Sequence, residues 1–74
     1  MSRLVRMDRS GHTELAEWTA ADQASYDRAA RLFEDELAGG YMGVARLADD
    51  TYEQVKKLPP EVELVVLRRP IAGG

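Results

Sequence analysis

The sequence has 74 residues, no cysteine and a net charge of −3 at pH 7, which fits one small domain stabilised by packing, without disulfides or thiolate metal sites. Its ten basic residues are scattered among thirteen acidic ones, which argues against nucleic acid as the main partner. The longest apolar run, over residues 64–67, is too short to span a bilayer, and the first residues lack the pattern of a secretory signal. We therefore expect a cytoplasmic protein without membrane attachment.

The first part of the chain has the pattern of a β-hairpin. Residues 3–8 are β-prone, and residues 12–18 follow with alternating apolar side chains. Gly11, between them, can adopt the positive φ that a tight turn requires. His12 is the only histidine of the sequence; because it has neither a cysteine nor a third catalytic partner in view, we interpret it as an exposed turn residue and not as a catalytic base.

Residues 20–38 are predicted to form an amphipathic helix. Thr19 offers the hydroxyl of an N-cap. The glycines at positions 39 and 40 are predicted to end the helix, because glycine adopts the left-handed conformation without a Cβ clash. Apolar side chains recur at helical spacing along one stripe, which is expected to pack on a sheet: Tyr26, Ala29, Ala30, Leu32, Phe33 and Leu37.

Strand patterns return after the helix. Residues 41–47 predict a third strand, and Asp49 and Asp50 predict a solvated turn, since they offer too few oxygen ligands at fixed spacing for a metal loop. Residues 51–58 predict either a fourth strand or a single helical turn, and the pattern leaves both open. The prolines at positions 59 and 60 exclude regular structure locally, because neither can donate a backbone hydrogen bond.

The most apolar stretch, residues 62–67, predicts the last strand. Its side chains alternate between two faces: Val62, Leu64 and Val66 on one, Val65 and Leu67 on the other. A strand that is apolar on both faces is usually central in its sheet. The elements together predict an α+β domain, in which a sheet of four or five strands packs on one helix.

This order of elements resembles that of the ubiquitin-like β-grasp family. In that family two N-terminal strands form a hairpin, a helix crosses the sheet, and the last strand lies centrally beside the first before a diglycine tail. The stretch LVRMDRSGHTELAEW, with Ser10 and Gly11 at the turn, is similar to the family's opening hairpin. The stretch EVELVVLRRPIAGG is similar to its closing strand and tail, and the segment from Pro70 onward is closer to the tails of prokaryotic sulfur carriers than to that of ubiquitin.

The resemblance implies a folded domain over residues 1–69, whose sheet is mixed, and a flexible tail over residues 70–74. It implies a small non-catalytic protein modifier or sulfur carrier, and therefore no enzyme. The carboxylate of Gly74, after Gly73, would be adenylated by an activating enzyme that uses ATP, and then passed to an acceptor protein or a sulfur-accepting pathway enzyme. Two residues without a Cβ atom suit a tail that enters a narrow channel. The chain itself is expected to bind no cofactor and no metal.

The residues before the glycine pair are expected to guide the tail to the activating enzyme. They are Arg68, Arg69, Pro70, Ile71 and Ala72. Ubiquitin carries an arginine directly before its glycine pair, whereas this sequence has Ala72 there. An activating enzyme for this chain is therefore not expected to be one that recognises the arginines of ubiquitin.

A partner patch is predicted on the sheet face that a single helix leaves bare. Val65 and Leu67, with Tyr41 nearby, would form it, unless the loop over residues 58–61 covers that face; both arrangements stay open. A second class of function is also open. The same tail would suit a structural or interaction module of a larger assembly, for example a phage or shell component, in which the tail docks without conjugation.

Overall fold

The computed structural model describes residues 1–9 and 11–69. Over these residues the chain forms a five-stranded mixed sheet and one helix: β1 (Ser2–Asp8), β2 (Gly11–Trp18), α1 (Gln23–Ala38), β3 (Met42–Arg46), β4 (Tyr52–Val55) and β5 (Leu64–Arg68). The strand order is β2-β1-β5-β3-β4, with β5 parallel to β1 and antiparallel to β3. The predicted α+β class and the central position of the last strand are confirmed.

The two N-terminal strands form the predicted hairpin. They pair antiparallel, from Ser2 opposite Trp18 to Asp8 opposite Gly11, and Gly11 has a φ of 111°, a conformation that glycine adopts without strain. The register shifts after Leu4, so that Leu15 is an extra residue in β2, as in a β-bulge. Ser10, predicted at the turn, lies outside the described residues.

The helix begins three residues later than predicted. Thr19 is not its N-cap: the backbone amide of Asp22 donates to the carbonyl of Thr19 at 3.1 Å, which closes a turn before the helix. Asp22 is the N-cap, and its carboxylate accepts from the Ser25 amide at 3.3 Å, which satisfies one free donor of the first turn. The end of the helix is as predicted, at Ala38, and Gly40 adopts the positive φ, 102°.

The core lies between the helix and one face of the sheet. Ala29 and Phe33 of α1 are fully buried, and the rest of the predicted helix stripe packs around them. They lie against the buried sheet side chains Leu4, Trp18, Ala45, Val65 and Leu67, with Leu58 from the loop that follows β4. The alternation predicted for the last strand is confirmed, and the helix covers the face that carries Val65 and Leu67.

Of the two arrangements left open for Val65 and Leu67, the exposed patch is therefore wrong: the helix covers this face, and Leu58 of the loop over residues 58–61 packs in the same core. Both side chains have a relative exposure of 0%. The reason is the position of β5: Val65 pairs with Leu4 on one side and with Ala45 on the other, and these three side chains form the floor on which the helix packs. The opposite face of the same strand, with Leu64 and Val66, is the one that the helix leaves uncovered.

For residues 51–58 the sequence left a strand or a helical turn open, and the structure shows a strand over part of this range: β4, Tyr52–Val55, pairs with β3. The turn between them is closed by the Leu47 amide, which donates to the Thr51 carbonyl at 2.8 Å. Asp49 accepts from the Thr51 hydroxyl at 2.6 Å and from its amide at 3.2 Å. The hydroxyl bond first, and then the amide bond, lower the pKa of Asp49 below its ordinary value.

Two side chains hold the loop after β4 against the core. The indole Nε1 of Trp18 donates to the Pro60 carbonyl at 3.1 Å, and the hydroxyl of Tyr26 donates to the Leu58 carbonyl. Both bonds join positions more than thirty residues apart in sequence. They satisfy carbonyls of an irregular segment that strand pairing does not reach.

We expect Tyr26→Phe to lower the free energy of unfolding by about 1 kcal/mol, because the Leu58 carbonyl loses its donor while the ring stays in place. Tyr52→Phe is the matched control, since Tyr52 is 60% exposed and removal of its hydroxyl is expected to change stability by less than about 0.5 kcal/mol. Urea denaturation followed by circular dichroism measures both. Equal effects of the two variants would contradict the role of the Tyr26 hydroxyl.

No helix in the described part of the chain has the length and apolar content needed to cross a membrane. Within residues 1–9 and 11–69, no group of three or more His, Asp or Glu side chains is arranged to hold a metal ion.

Candidate functional site

The candidate site begins where β5 ends. The strand finishes at Arg68, and Arg69 is the last described residue; these two residues are called the tail root below. The other predicted tail residues, Pro70, Ile71, Ala72, Gly73 and Gly74, lie outside the described residues. The structure thus shows where residues 70–74 begin. They follow the end of a central strand, at the same end of the sheet as the last residue of β1.

The two arginines of the tail root have different surroundings. Arg68 pairs with Met42 in the β3–β5 ladder and is exposed. The guanidinium carbon of Arg69 lies 4.8 Å from the centre of the Tyr41 ring, which is within the range of a cation–π interaction. The sequence predicted both residues as guides of the tail; in the structure, it is Arg69 that stacks on the aromatic ring.

Tyr41 links the tail root to the body of the domain. Its ring packs against the edge of the core, and its backbone amide donates to the Glu36 carbonyl at 3.0 Å, at the end of α1. A second guanidinium carbon, that of Arg6, lies 5.8 Å from the same ring centre. The predicted grouping of Tyr41 with Val65 and Leu67 in one exposed patch is wrong, because Tyr41 contacts the tail root and those two side chains are buried.

Arg6 is held in place by two carboxylates. Its Nη1 donates to Glu36 Oε1 at 2.8 Å, and its Nε lies 3.8 Å from Asp8 Oδ2. The hydrogen bond to Glu36, followed by the negative charge of that carboxylate, raises the pKa of the Arg6 guanidinium further above its ordinary value. Arg6 therefore stays charged beside the Tyr41 ring at every working pH.

The uncovered sheet face carries an apolar groove. Side chains of four adjacent strands line it: Met7, Val44, Tyr52, Val66 and Arg68. We call this set the open-face groove. Met7 and Tyr52 are 46% and 60% exposed, and Val44 and Val66, on the two strands between them, are partly exposed. Exposed apolar side chains that lie together are typical of contact surfaces.

Charge is distributed unevenly around this face. Arg3 lies 3.9 Å from a Glu14 oxygen and Arg46 lies 3.2 Å from a Glu63 oxygen, so these arginines are paired with acidic side chains. Arg68 has no ion pair among the described residues, and together with Arg9 and Arg69 it lines an open depression beside the groove, in which these three arginines outnumber the carboxylate of Asp8. The groove is therefore apolar along its length and basic at the tail root.

The sequence interpretation missed the open-face groove. Its residues lie far apart in sequence and come together only through the strand register, in which Val44 lies opposite Val66 and Arg46 opposite Tyr52. The sequence contains one indication of this groove: the alternation of residues 62–67 assigns Leu64 and Val66 to one face. His12 is exposed on β2, opposite Met7, so its predicted exposure is confirmed although it lies in a strand.

Comparison with protein-family models, with curated proteins and with solved structures found no match for this chain. Its function is therefore argued from the sequence and the geometry of the site. The groove is lined mostly by apolar side chains, and the two arginines of the tail root carry guanidinium groups that stay protonated. These side chains are suited to binding a partner and to orienting the end of a strand.

Proposed function

We propose that this chain is a ubiquitin-like β-grasp protein that acts as a small non-catalytic modifier or sulfur carrier. The observation that carries the proposal is the place of β5, which lies between β1 and β3, runs parallel to β1 and leads through Arg69 directly into the segment with Gly73 and Gly74. Because the tail begins at the end of a central strand, its reactive carboxylate is attached to the domain at a defined position.

The proposed chemistry takes place at the carboxylate of Gly74. Its oxygen attacks the α-phosphate of ATP on an activating enzyme, pyrophosphate leaves, and an acyl adenylate forms. A sulfide, thiolate or amine then attacks the carbonyl carbon, and AMP leaves. The chain supplies the electrophile. Pro70 has no amide hydrogen with which to extend the sheet, and the two glycines make the thinnest chain available for a narrow channel.

The open-face groove is the proposed surface for the activating enzyme. It is apolar, it is not covered by the helix, and its basic end contains Arg68, next to the start of the tail. A partner that binds there also receives the segment that begins at Arg69. The acceptor is a protein amine or a sulfur-accepting enzyme. We propose that the protein is in the cytoplasm, together with ATP and the activating enzyme.

Trapping with hydroxylamine tests the proposal. The full chain is incubated with lysate of its own cell, ATP and hydroxylamine, and its intact mass is measured. An activated carboxyl group is converted to the hydroxamate at Gly74, and this product is expected only with ATP. Without the trap, a terminal thiocarboxylate would indicate a sulfur carrier, and a bond between Gly74 and a lysine would indicate a modifier.

The matched control is the same chain with one alanine added after Gly74, which is expected to give no product because the added residue displaces the carboxylate from the reaction centre. Absence of any ATP-dependent product from the unmodified chain contradicts the proposal. A structural role in a larger assembly predicts the opposite pattern: a stable complex that forms without ATP and tolerates the added alanine.

A further inference from the structure

We infer that Tyr41 is a positioning residue that fixes the direction in which the chain leaves the domain after β5. The inference starts from the 4.8 Å distance between the Arg69 guanidinium carbon and the Tyr41 ring centre. Arg69 follows the last residue of β5, so strand pairing no longer restrains it. The stack on Tyr41 is a contact that holds Arg69 beyond the end of the strand.

Tyr41 is itself held by contacts of its backbone and of its ring. The loop between α1 and β3 is short, and Gly40 turns it with a φ of 102°, so that the Tyr41 amide donates to the last turn of the helix at Glu36. One part of the ring packs against the core. A ring fixed by both its backbone and its apolar contacts loses little entropy when a guanidinium stacks on it.

The charges around the ring favour Arg69 as its partner. Two guanidinium groups near one ring repel each other unless one of them is neutralised. Here Arg6 has its hydrogen bond to Glu36 at 2.8 Å and lies 3.8 Å from Asp8, so its charge is balanced locally. Arg69 thus approaches the ring more closely than Arg6 does, at 4.8 Å against 5.8 Å, and its stack connects the tail root to the helix end through Tyr41.

The consequence for function rests on the proposed activation at Gly74. A tail that leaves in one direction needs less ordering when the activating enzyme binds it, because part of the conformational entropy has already been lost in the free protein. Arg69 then does more than present a positive charge to the activating enzyme. It is the residue through which Tyr41 aligns the tail.

Trypsin cleavage between Arg68 and Arg69 tests the positioning directly, since a protease needs a locally opened chain. Tyr41→Ala is expected to raise the cleavage rate at this bond by about threefold to twentyfold, the range that corresponds to loss of one cation–π contact. Tyr41→Phe, which keeps the ring, is expected to stay close to the unmodified protein. Cleavage after Arg28, inside α1, is the reference for global unfolding and is expected to stay constant.

Arg31→Ala is the control for a substitution at an exposed position, because Arg31 is exposed on the helix and stacks on no aromatic ring among the described residues. It is expected to leave cleavage at the tail root unchanged. An unchanged rate in Tyr41→Ala, or an equal rise in Tyr41→Phe, overturns the inference. A parallel rise after Arg28 would show general unfolding and would also overturn it.

The hydroxylamine trap supplies the functional readout. The initial rate of hydroxamate formation is expected to fall by about threefold to twentyfold in Tyr41→Ala and to be restored in Tyr41→Phe. If the tail root opens but the trapping rate stays the same, the link to activation is wrong. If the unmodified protein is not activated at all, the proposed function fails, while the protease result still decides whether Tyr41 positions the chain.

Discussion

Leu67→Ala is expected to lower the free energy of unfolding by about 2–5 kcal/mol, the range for truncating a fully buried leucine. Leu67 has a relative exposure of 0% and lies in the core beneath the helix. Small domains of this length hold only about 3–5 kcal/mol of stability. The substitution therefore removes a large part of the stability of the fold.

Leu64→Ala is the matched control, with the same chemical change on the same strand. Leu64 lies on the uncovered face, is only partly buried, and pairs with Arg3 and Arg46. Its truncation is expected to cost about 1 kcal/mol or less, because the removed atoms leave no sealed cavity. Urea denaturation, with the slope checked for two-state behaviour, measures both variants.

If Leu67→Ala is too unstable to purify, Leu67→Val and Leu64→Val give the same comparison with a smaller change in volume. Leu67→Val is expected to lower the free energy of unfolding by roughly 0.5–1.5 kcal/mol, and Leu64→Val is expected to leave it nearly unchanged. A larger effect at position 64 than at position 67 would contradict the assignment of the covered face. It would also restore the sequence-based prediction that Val65 and Leu67 face outward.

Gly43→Ala is expected to destabilise the domain by about 1–3 kcal/mol through overpacking. A Cβ atom at this position would lie 2.5 Å from Phe33 Cε1 and 2.7 Å from Phe33 Cζ. The ring cannot move away freely, because Phe33 is fully buried, and the Val55 carbonyl oxygen lies 3.3 Å from the same Cβ position. The absence of a side chain at Gly43 is what lets the helix approach β3.

A double-mutant cycle with Phe33→Leu tests this cause. The smaller side chain leaves space for the new methyl group, so the combined loss is expected to be smaller than the sum of the single losses by roughly 0.5–3 kcal/mol. Gly39→Ala is the control: the nearest contact of its Cβ position is 3.4 Å, its φ is −82°, and a change within about 0.5 kcal/mol is expected. Additive losses, or a neutral Gly43→Ala, would contradict steric conflict with Phe33.

Prediction from the sequence succeeded where the signal is local. The positive φ of Gly11, the end of α1 at Ala38 and the apolar helix stripe follow from turn chemistry and periodicity within a few residues. The N-terminus of the helix was misplaced because Thr19 and Asp22 are both good caps. The bond from the Asp22 amide to the Thr19 carbonyl decides between them, and composition alone does not show it.

The candidate site was predicted less completely, for a physical reason. Alternation along β5 shows that Val65 and Leu67 share a face, but it does not show which face the helix covers. That depends on contacts with distant positions, above all the space at Gly43 that Phe33 occupies. The open-face groove likewise gathers Met7, Val44 and Val66 from three strands, and only their pairing places them side by side.

The sequence by itself determined the elements, their order and the apolar last strand, because hydrophobic periodicity, glycine turns and proline breaks act over short distances along the chain. The tertiary structure decided which face of that strand is covered and where its end is held. The covered face follows from the core contacts between the helix and the sheet, among them the fit of Phe33 over Gly43, and the exit of the chain follows from the stack of Arg69 on Tyr41. Both are contacts between different elements of the fold, and they arise only when the sheet has assembled around β5.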